Sequence, residues 1–224
     1  MSRQRSAVRV HALAASCTAA MLSGCSGLHS HAQPAEVYVL RFMPAVAAAS
    51  AQRTASLSIR VARPDAAPGL NSEHIVILQP DHRMNYYAAS VWAAPLPEVV
   101  EELVVESLRA SGSWAAVQDS RGFFPADYLL QIVVRRFDAE YVSSSAAPQV
   151  QVTLDCTLGR RNGRDPPASF SVQGSAPASA NQLHEVVSAF ELATNQALTE
   201  LTARSSAASR ADQNADMPVP SITR

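Results

Sequence analysis

Lysine is absent from this chain. All 18 of its basic residues are arginine, set against 19 acidic residues for a formal net charge of -1. Without an ε-ammonium group there is no Walker-A phosphate loop, no Schiff-base lysine and no Ser-Lys dyad. The missing basic excess excludes the electrostatic footprint of a nucleic-acid binder. Cysteine is scarce, with three in 224 residues, at Cys17, Cys25 and Cys156. The serines include none in a G-x-S-x-G elbow. The histidines beyond the first 31 residues, His74, His82 and His184, are far apart and lack ligand spacing, so no metal site is expected. What the chain does have is apolar mass. Hydrophobic residues make up 47% of it, enough for the core of one domain.

The first 25 residues read as an export segment. Arg3, Arg5 and Arg9 form a positive start, and no acidic residue precedes Glu36. Residues 10–22 are mostly apolar, too short a run to span a bilayer but the right length for a signal-peptide core. The run closes on Leu22-Ser23-Gly24-Cys25. This resembles the lipobox of bacterial lipoproteins, in which small residues expose the scissile bond and the freed cysteine takes a diacylglycerol. Residues 1–24 are therefore expected to be a signal peptide. Residues 25–35 are expected to be an acylated cysteine and its tether, with no cofactor beyond the acyl chains on Cys25. Cleavage removes three arginines and leaves 15 basic against 19 acidic residues, a charge of -4. Two or more acyl chains give stable anchoring. Ser26, rather than an aspartate, follows Cys25 and resembles an outer-membrane address. With Cys17 discarded and Cys25 acylated, only Cys156 remains, so no internal disulfide is expected. Its strict period-two apolar surroundings, Val150, Val152, Leu154 and Leu158, predict a buried inert thiol.

The body of the chain alternates strands and helices. Period-two patterning predicts strands over 36–42, 56–62, 74–79, 83–88, 114–118, 127–142, 149–158 and 169–173. In the strand over 127–142, Tyr128, Leu130, Ile132 and Val134 share one face. Phe137 and Tyr141 carry the opposite phase, which predicts a bulge near Arg135-Arg136. Helical spacing predicts helices over 96–111, opened by Pro95 and Pro97 and stopped by Gly112, and over 182–203. Residues 43–55 read as a flexible connection, and the polar, proline-containing residues 204–224 are expected to be a disordered tail. The order predicts an α+β fold, a mainly antiparallel sheet with two helices packed on one face, over residues 36–203.

Several segments in this order resemble the ABC-type transport auxiliary lipoprotein family, the PqiC-like group. They are Cys25, then Val37-Tyr38-Val39-Leu40, Ile75-Val76-Ile77-Leu78, Arg83-Met84-Asn85-Tyr86-Tyr87 and Trp92-Ala93-Ala94-Pro95-Leu96. Leu108-Arg109-Ala110-Ser111-Gly112, Trp114, Ala126-Asp127-Tyr128-Leu129-Leu130, Phe137-Asp138-Ala139-Glu140-Tyr141 and Ala189-Phe190 follow. The alanine-rich loop after Phe42 departs from the pattern. The resemblance implies a non-enzymatic, lipid-anchored subunit on the periplasmic face of the outer membrane. It would dock on the Mce-domain component of an ABC transporter, with its permease and ATPase, in lipid transport between membranes. Homo-oligomerisation is left open. A lipid-anchored periplasmic ligand-binding protein or hydrolase, or a lipopolysaccharide-assembly lipoprotein, is the alternative.

Tyr86, Tyr87 and Trp92 are the candidate partner contacts, because Tyr and Trp often anchor interfaces. Alternatively, Trp92 and one tyrosine close the core beneath the first helix, since adjacent strand residues face opposite ways. Glu98, Glu101, Glu102 and Glu106 read as a solvated helix face. Arg135, Arg136, Arg160, Arg161 and Arg164 are expected near one end of a hairpin, either as a patch for lipid headgroups or an acidic partner, or as plain surface charges.

Overall fold

A single thirteen-residue strand, β7 (Tyr128–Glu140), organises the sheet. In the computed structural model, which describes residues 34–43, 56–143, 145–163 and 166–215, it pairs along its whole length with antiparallel β8 (Gln149–Arg160). β8 in turn pairs with β9 (Ala168–Pro177). The other edge of β7 is shared by three short parallel strands laid end to end. β2 (Ser58–Val61) takes its start, β3 (Asp65–Ala66) its middle and β4 (His74–Leu78) its end. Beyond β2 lies β6 (Ala116–Gln118). Beyond β4 lie β5 (Met84–Trp92) and then β1 (Glu36–Tyr38). The parallel pairings span two or three residues each, so most of the ladder is antiparallel. The α+β expectation holds, with an open mixed sheet.

The predicted bulge is there. Val134 pairs with Leu154 and Arg136 with Thr153, so Arg135 is the extra residue. Its consequence is a switch of phase in β7 alone. Tyr128, Leu130, Ile132 and Val134 are buried before it, and Phe137, Ala139 and Tyr141 after it. The partner strand keeps an unbroken inward row of Val150, Val152, Leu154, Cys156 and Leu158. The Arg135 guanidinium turns outward to the Asp155 carboxylate at 2.6 Å.

Two helices cover the inward face. Helix α1 (Leu96–Ala110) begins after Pro95, carries Pro97 in its first turn and ends before Gly112, whose φ of +64° only glycine adopts without strain. Leu96, Val100, Leu103, Val104 and Leu108 are its buried stripe. Helix α2 (Leu183–Ala215) lies across β8 and β9 and is 33 residues long. It corrects one expectation, for residues 204–215 are helical rather than disordered. The polarity of that stretch is deceptive. Ser206 and Ser209 donate to helix carbonyls at 2.8 and 3.1 Å and are buried with Ser205. Asp212 accepts the Tyr128 hydroxyl proton at 3.0 Å. Residues 216–224, the connection 44–55 and the segment before Pro34, Cys25 included, lie outside the described residues. Among the described residues no helix is long and apolar enough to cross a membrane.

Helix α2 also closes the outer edge of β9. The Ser175 amide donates to Gln196 Oε1 at 3.0 Å and the Gln173 amide to Glu200 Oε2 at 3.4 Å. Between them Gly174 lets the backbones meet, because a methyl group there would overlap the Ala193 carbonyl oxygen and lie 2.7 Å from its carbon. Gly174→Ala is therefore expected to cost ~3 kcal/mol by overpacking, read as a lowered urea midpoint with unchanged slope.

Asp127, just before β7, ties in β2. One of its oxygens accepts both the amide and the hydroxyl of Ser58 at 2.7 Å. These bonds hold the carboxyl below its ordinary value. A lowered folded value means that the stability they contribute is present above the unfolded value near ~3.9 and is lost as pH falls through the folded one. The gap in urea midpoint between wild type and Asp127→Ala should be open at neutral pH and close in acid. A gap that persists in acid would show that the charge is not what matters.

Candidate functional site

The candidate contacts all fall on β5, and the structure separates them. This strand is irregular. Tyr86 pairs with Val76 and Val91 with His74, so five steps on β5 answer two on β4, and Ala89 in the excess takes a φ of +50°.

Trp92 is not available to a partner. It is 2% exposed and meets Phe137 edge-on at 6.0 Å and Phe190 of α2 at 5.2 Å, while those two stack at 5.1 Å. The alternative reading of Trp92 is thus the right one, with a correction to the helix. The ring lies against Phe190 of the second helix, not only beneath the first. Its size and its place in the sequence motif signalled importance, but only the register with β1 and β4 told which way it points.

Tyr87 is half-buried and serves the fold. Its hydroxyl lies 2.7 Å from that of Tyr141, which donates its single proton to Asn181 Oδ1 at 2.7 Å. Tyr87 is therefore the donor of the pair. Burial, and then this bond, push the Tyr87 phenol well above its ordinary range, so it stays neutral.

Tyr86 faces the other way, onto the side of the sheet that carries no helix, and is 44% exposed. Its ring rests on His74 with centroids 4.7 Å apart. His74 shares a register row with Val91 and Val37, and paired residues share a face. Exposed Val37, His74 and Tyr86 therefore form one surface. Val39 and Met84 are exposed beside it at the ends of the same strands. Among the described strands β1 pairs only with β5, so this surface ends in an open strand edge. On its inner side Tyr86 shares a row with Val76 and Asp138. There the Arg136 guanidinium spans Asp138 and Glu140, both at 2.8 Å, and these bonds hold it firmly charged. The alternation of Val37 and Val39 was visible in the sequence. Which face it served was not.

The other singled-out residues are accounted for individually. Cys156 is buried, and burial pushes its thiol up to about 12, as expected of an inert cysteine. Glu98 pairs with Arg63, and buried Glu101 accepts the Ser120 amide at 2.6 Å, so only Glu102 and Glu106 are the plain solvated carboxylates expected. The arginines do not form one patch. Arg135 and Arg136 sit at the bulge, whereas Arg160 pairs with Tyr128 at the far end of β7 and Arg161 follows it. Arg164 lies outside the described residues. Among the described residues no group of three or more His, Cys, Asp or Glu side chains is placed to hold a metal. A cleft of about 590 Å³ on the helix-free face is lined by Arg63, Asp65, Gln131, Arg135, Asp155 and Ser169, and of its four charged side chains Arg135 and Asp155 pair with each other.

Tyr87→Phe is expected to lower stability by ~1 kcal/mol, because Tyr141 loses its donor, while Tyr86→Ala should stay within ~0.5 kcal/mol of wild type in urea titration. Equal losses would contradict the division of roles between the two rings.

Comparison with known proteins agrees with this architecture. A family model described as the ABC-type transport auxiliary lipoprotein component matches residues 38–204. A crystal structure from Xanthomonas campestris, described as belonging to the family DUF330, is 28% identical. It aligns with 80% of this chain and 99% of its own at a TM-score of 0.70. The crystal structure of an uncharacterised protein aligns with 77% of this chain and 99% of its own, at 14% identity and a TM-score of 0.59, a likeness of fold. No curated protein matches the sequence.

Proposed function

Because the chain belongs to the ABC-type transport auxiliary lipoprotein family, we propose that it is the lipid-anchored accessory subunit of an ABC transporter with an Mce-domain periplasmic component, acting in lipid transport between membranes. The family match over most of the folded domain is the observation that carries this reading. In it, Cys25 is acylated after removal of residues 1–24, and Ser26 directs the protein to the outer membrane. The Tyr86 surface, with exposed Val37 and His74 beside an open strand edge, is the docking face, since an extended segment of a partner adds readily to such an edge. A hydrolase would need convergent polar groups with altered acidity in a cleft. In the cleft Arg135 and Asp155 are instead paired with each other, and the Cys156 thiol is buried.

The test is affinity capture of the tagged, acylated protein from detergent-solubilised membranes, followed by mass spectrometry. An Mce-domain protein, a permease and an ATPase are expected in the eluate. Their absence, where a control lipoprotein complex survives, would refute the transport reading. Tyr86→Ala should reduce recovery of the Mce component by about tenfold, as for an aromatic anchor worth ~1.4 kcal/mol, without loss of folded protein. The mass of the mature protein reports the acyl chains, and Cys25→Ala should remove them together with membrane association.

A further inference from the structure

The loop between β6 and β7 carries two of the three most exposed large apolar side chains among the described residues. Phe123 is 96% exposed and its neighbour Phe124 is 77% exposed. Two adjacent phenyl rings left in water forgo the favourable burial that a core phenylalanine gains. A segment that only needed to connect two strands would carry polar residues here.

The loop is held in place. The Arg60 guanidinium on β2 donates to the Phe124 carbonyl, and the Arg161 amide donates to the Asp127 carbonyl at 2.8 Å. The Gly122 amide closes a turn onto the Asp119 carbonyl at 3.1 Å. Arg60, Arg121, Arg160 and Arg161 all lie on the loop or on strand ends that touch it. Exposed Leu129 shares a row with Arg60. Three carboxylates adjoin the loop: Asp119 pairs with Arg121 at 3.2 Å, Asp127 is bound by Ser58 and Glu101 by the Ser120 amide, while Arg60 and Arg161 reach the loop without a carboxylate of their own among the described residues.

Apolar rings projecting from a frame of arginines match one surface chemically, the anionic face of a lipid bilayer. Aromatic rings enter the boundary between headgroups and acyl chains, and each nearby cation adds to the attraction. We propose that residues 121–124 form a second membrane contact, with Phe123 and Phe124 inserted among acyl chains and Arg60, Arg121 and Arg161 on lipid phosphates.

The geometry is compatible with the proposed anchor, on which the choice of membrane rests. The register places Glu36 about nine residues along the sheet from Tyr128, roughly 30 Å. The chain from Cys25 to Glu36 spans at most about 36–40 Å. The length of that chain therefore allows anchor and loop to reach the same bilayer.

The test uses the chain from residue 26 onward, without signal or acyl group, since residues 35–224 form a compact unit by themselves. Flotation is measured with phosphatidylcholine vesicles and with vesicles in which about a third of the lipid is phosphatidylglycerol. The protein should float with the anionic vesicles, less so at high salt, and weakly or not at all with the neutral ones. The double variant Phe123→Ser with Phe124→Ser should lower the binding constant by at least about tenfold. Arg121→Ser and Arg161→Ser should each lower it by about fivefold and flatten its salt dependence. Both rings are exposed, so an unchanged circular dichroism spectrum is expected of these variants. No flotation of the wild-type chain, or flotation that ignores the phenylalanines, overturns the proposal. So does loop-dependent capture of a protein without lipid binding. The anchor is judged separately by the mass of the mature protein. A missing acyl mass sinks the anchoring reading alone, and failed flotation with an acylated Cys25 sinks the loop alone.

Discussion

The molecule depends on β7 being paired on both edges while its two halves present opposite phases. One edge needs a continuous partner, and β8 supplies it. The other edge is filled piecemeal by β2, β3 and β4, each too short to stand alone. Without the extra residue at Arg135, the inward phase of Tyr128, Leu130, Ile132 and Val134 would carry Arg136, Asp138 and Glu140 into the core. A one-residue slip moves a whole side-chain set to the other face. The bulge instead delivers Phe137 to the ring cluster and the charged trio to the helix-free face. There the three side chains satisfy one another.

The second constraint is the seat of α2. Its close approach at Gly174, the capped amides of β9 and the cluster of Trp92, Phe137 and Phe190 tie one helix to strands from both ends of the chain. Asn195 and Glu191 extend the hold to residues 41–43, where the Met43 and Arg41 amides donate to them at 2.9 and 3.2 Å. Helix α2 therefore guards the β9 edge against unintended pairing and leaves β1 itself open. The exposed features lie at opposite ends of the sheet, the Tyr86 surface at one and the Phe123–Phe124 loop at the other.

Much of this was legible in advance. The order of the longer strands along the chain, both helix starts and the phase switch of β7 follow from periodicity and residue chemistry, because each depends on neighbours a few positions apart, whereas the two-residue β3 was read as loop. The extent of α2 was not legible. Serine-rich composition normally marks a tail, and only burial against Tyr128 and α1 turned those hydroxyls to the helix's own carbonyls. Membership of the transport auxiliary family followed from a series of short segments, none informative alone.

The sequence by itself determined what kind of surface each strand and helix carries, since alternation and helical spacing are properties of the local chain. It determined as well which chemistries are missing, through the absence of lysine and the near absence of cysteine. The tertiary structure alone decided which of two adjacent tyrosines meets solvent, that Trp92 closes the core and that Arg135–Arg136 and Arg160–Arg161 stand apart. It also decided that two phenylalanines in a loop remain uncovered. Each of these depends on register between strands distant in sequence, and pairing distances of that kind leave no trace in a local pattern.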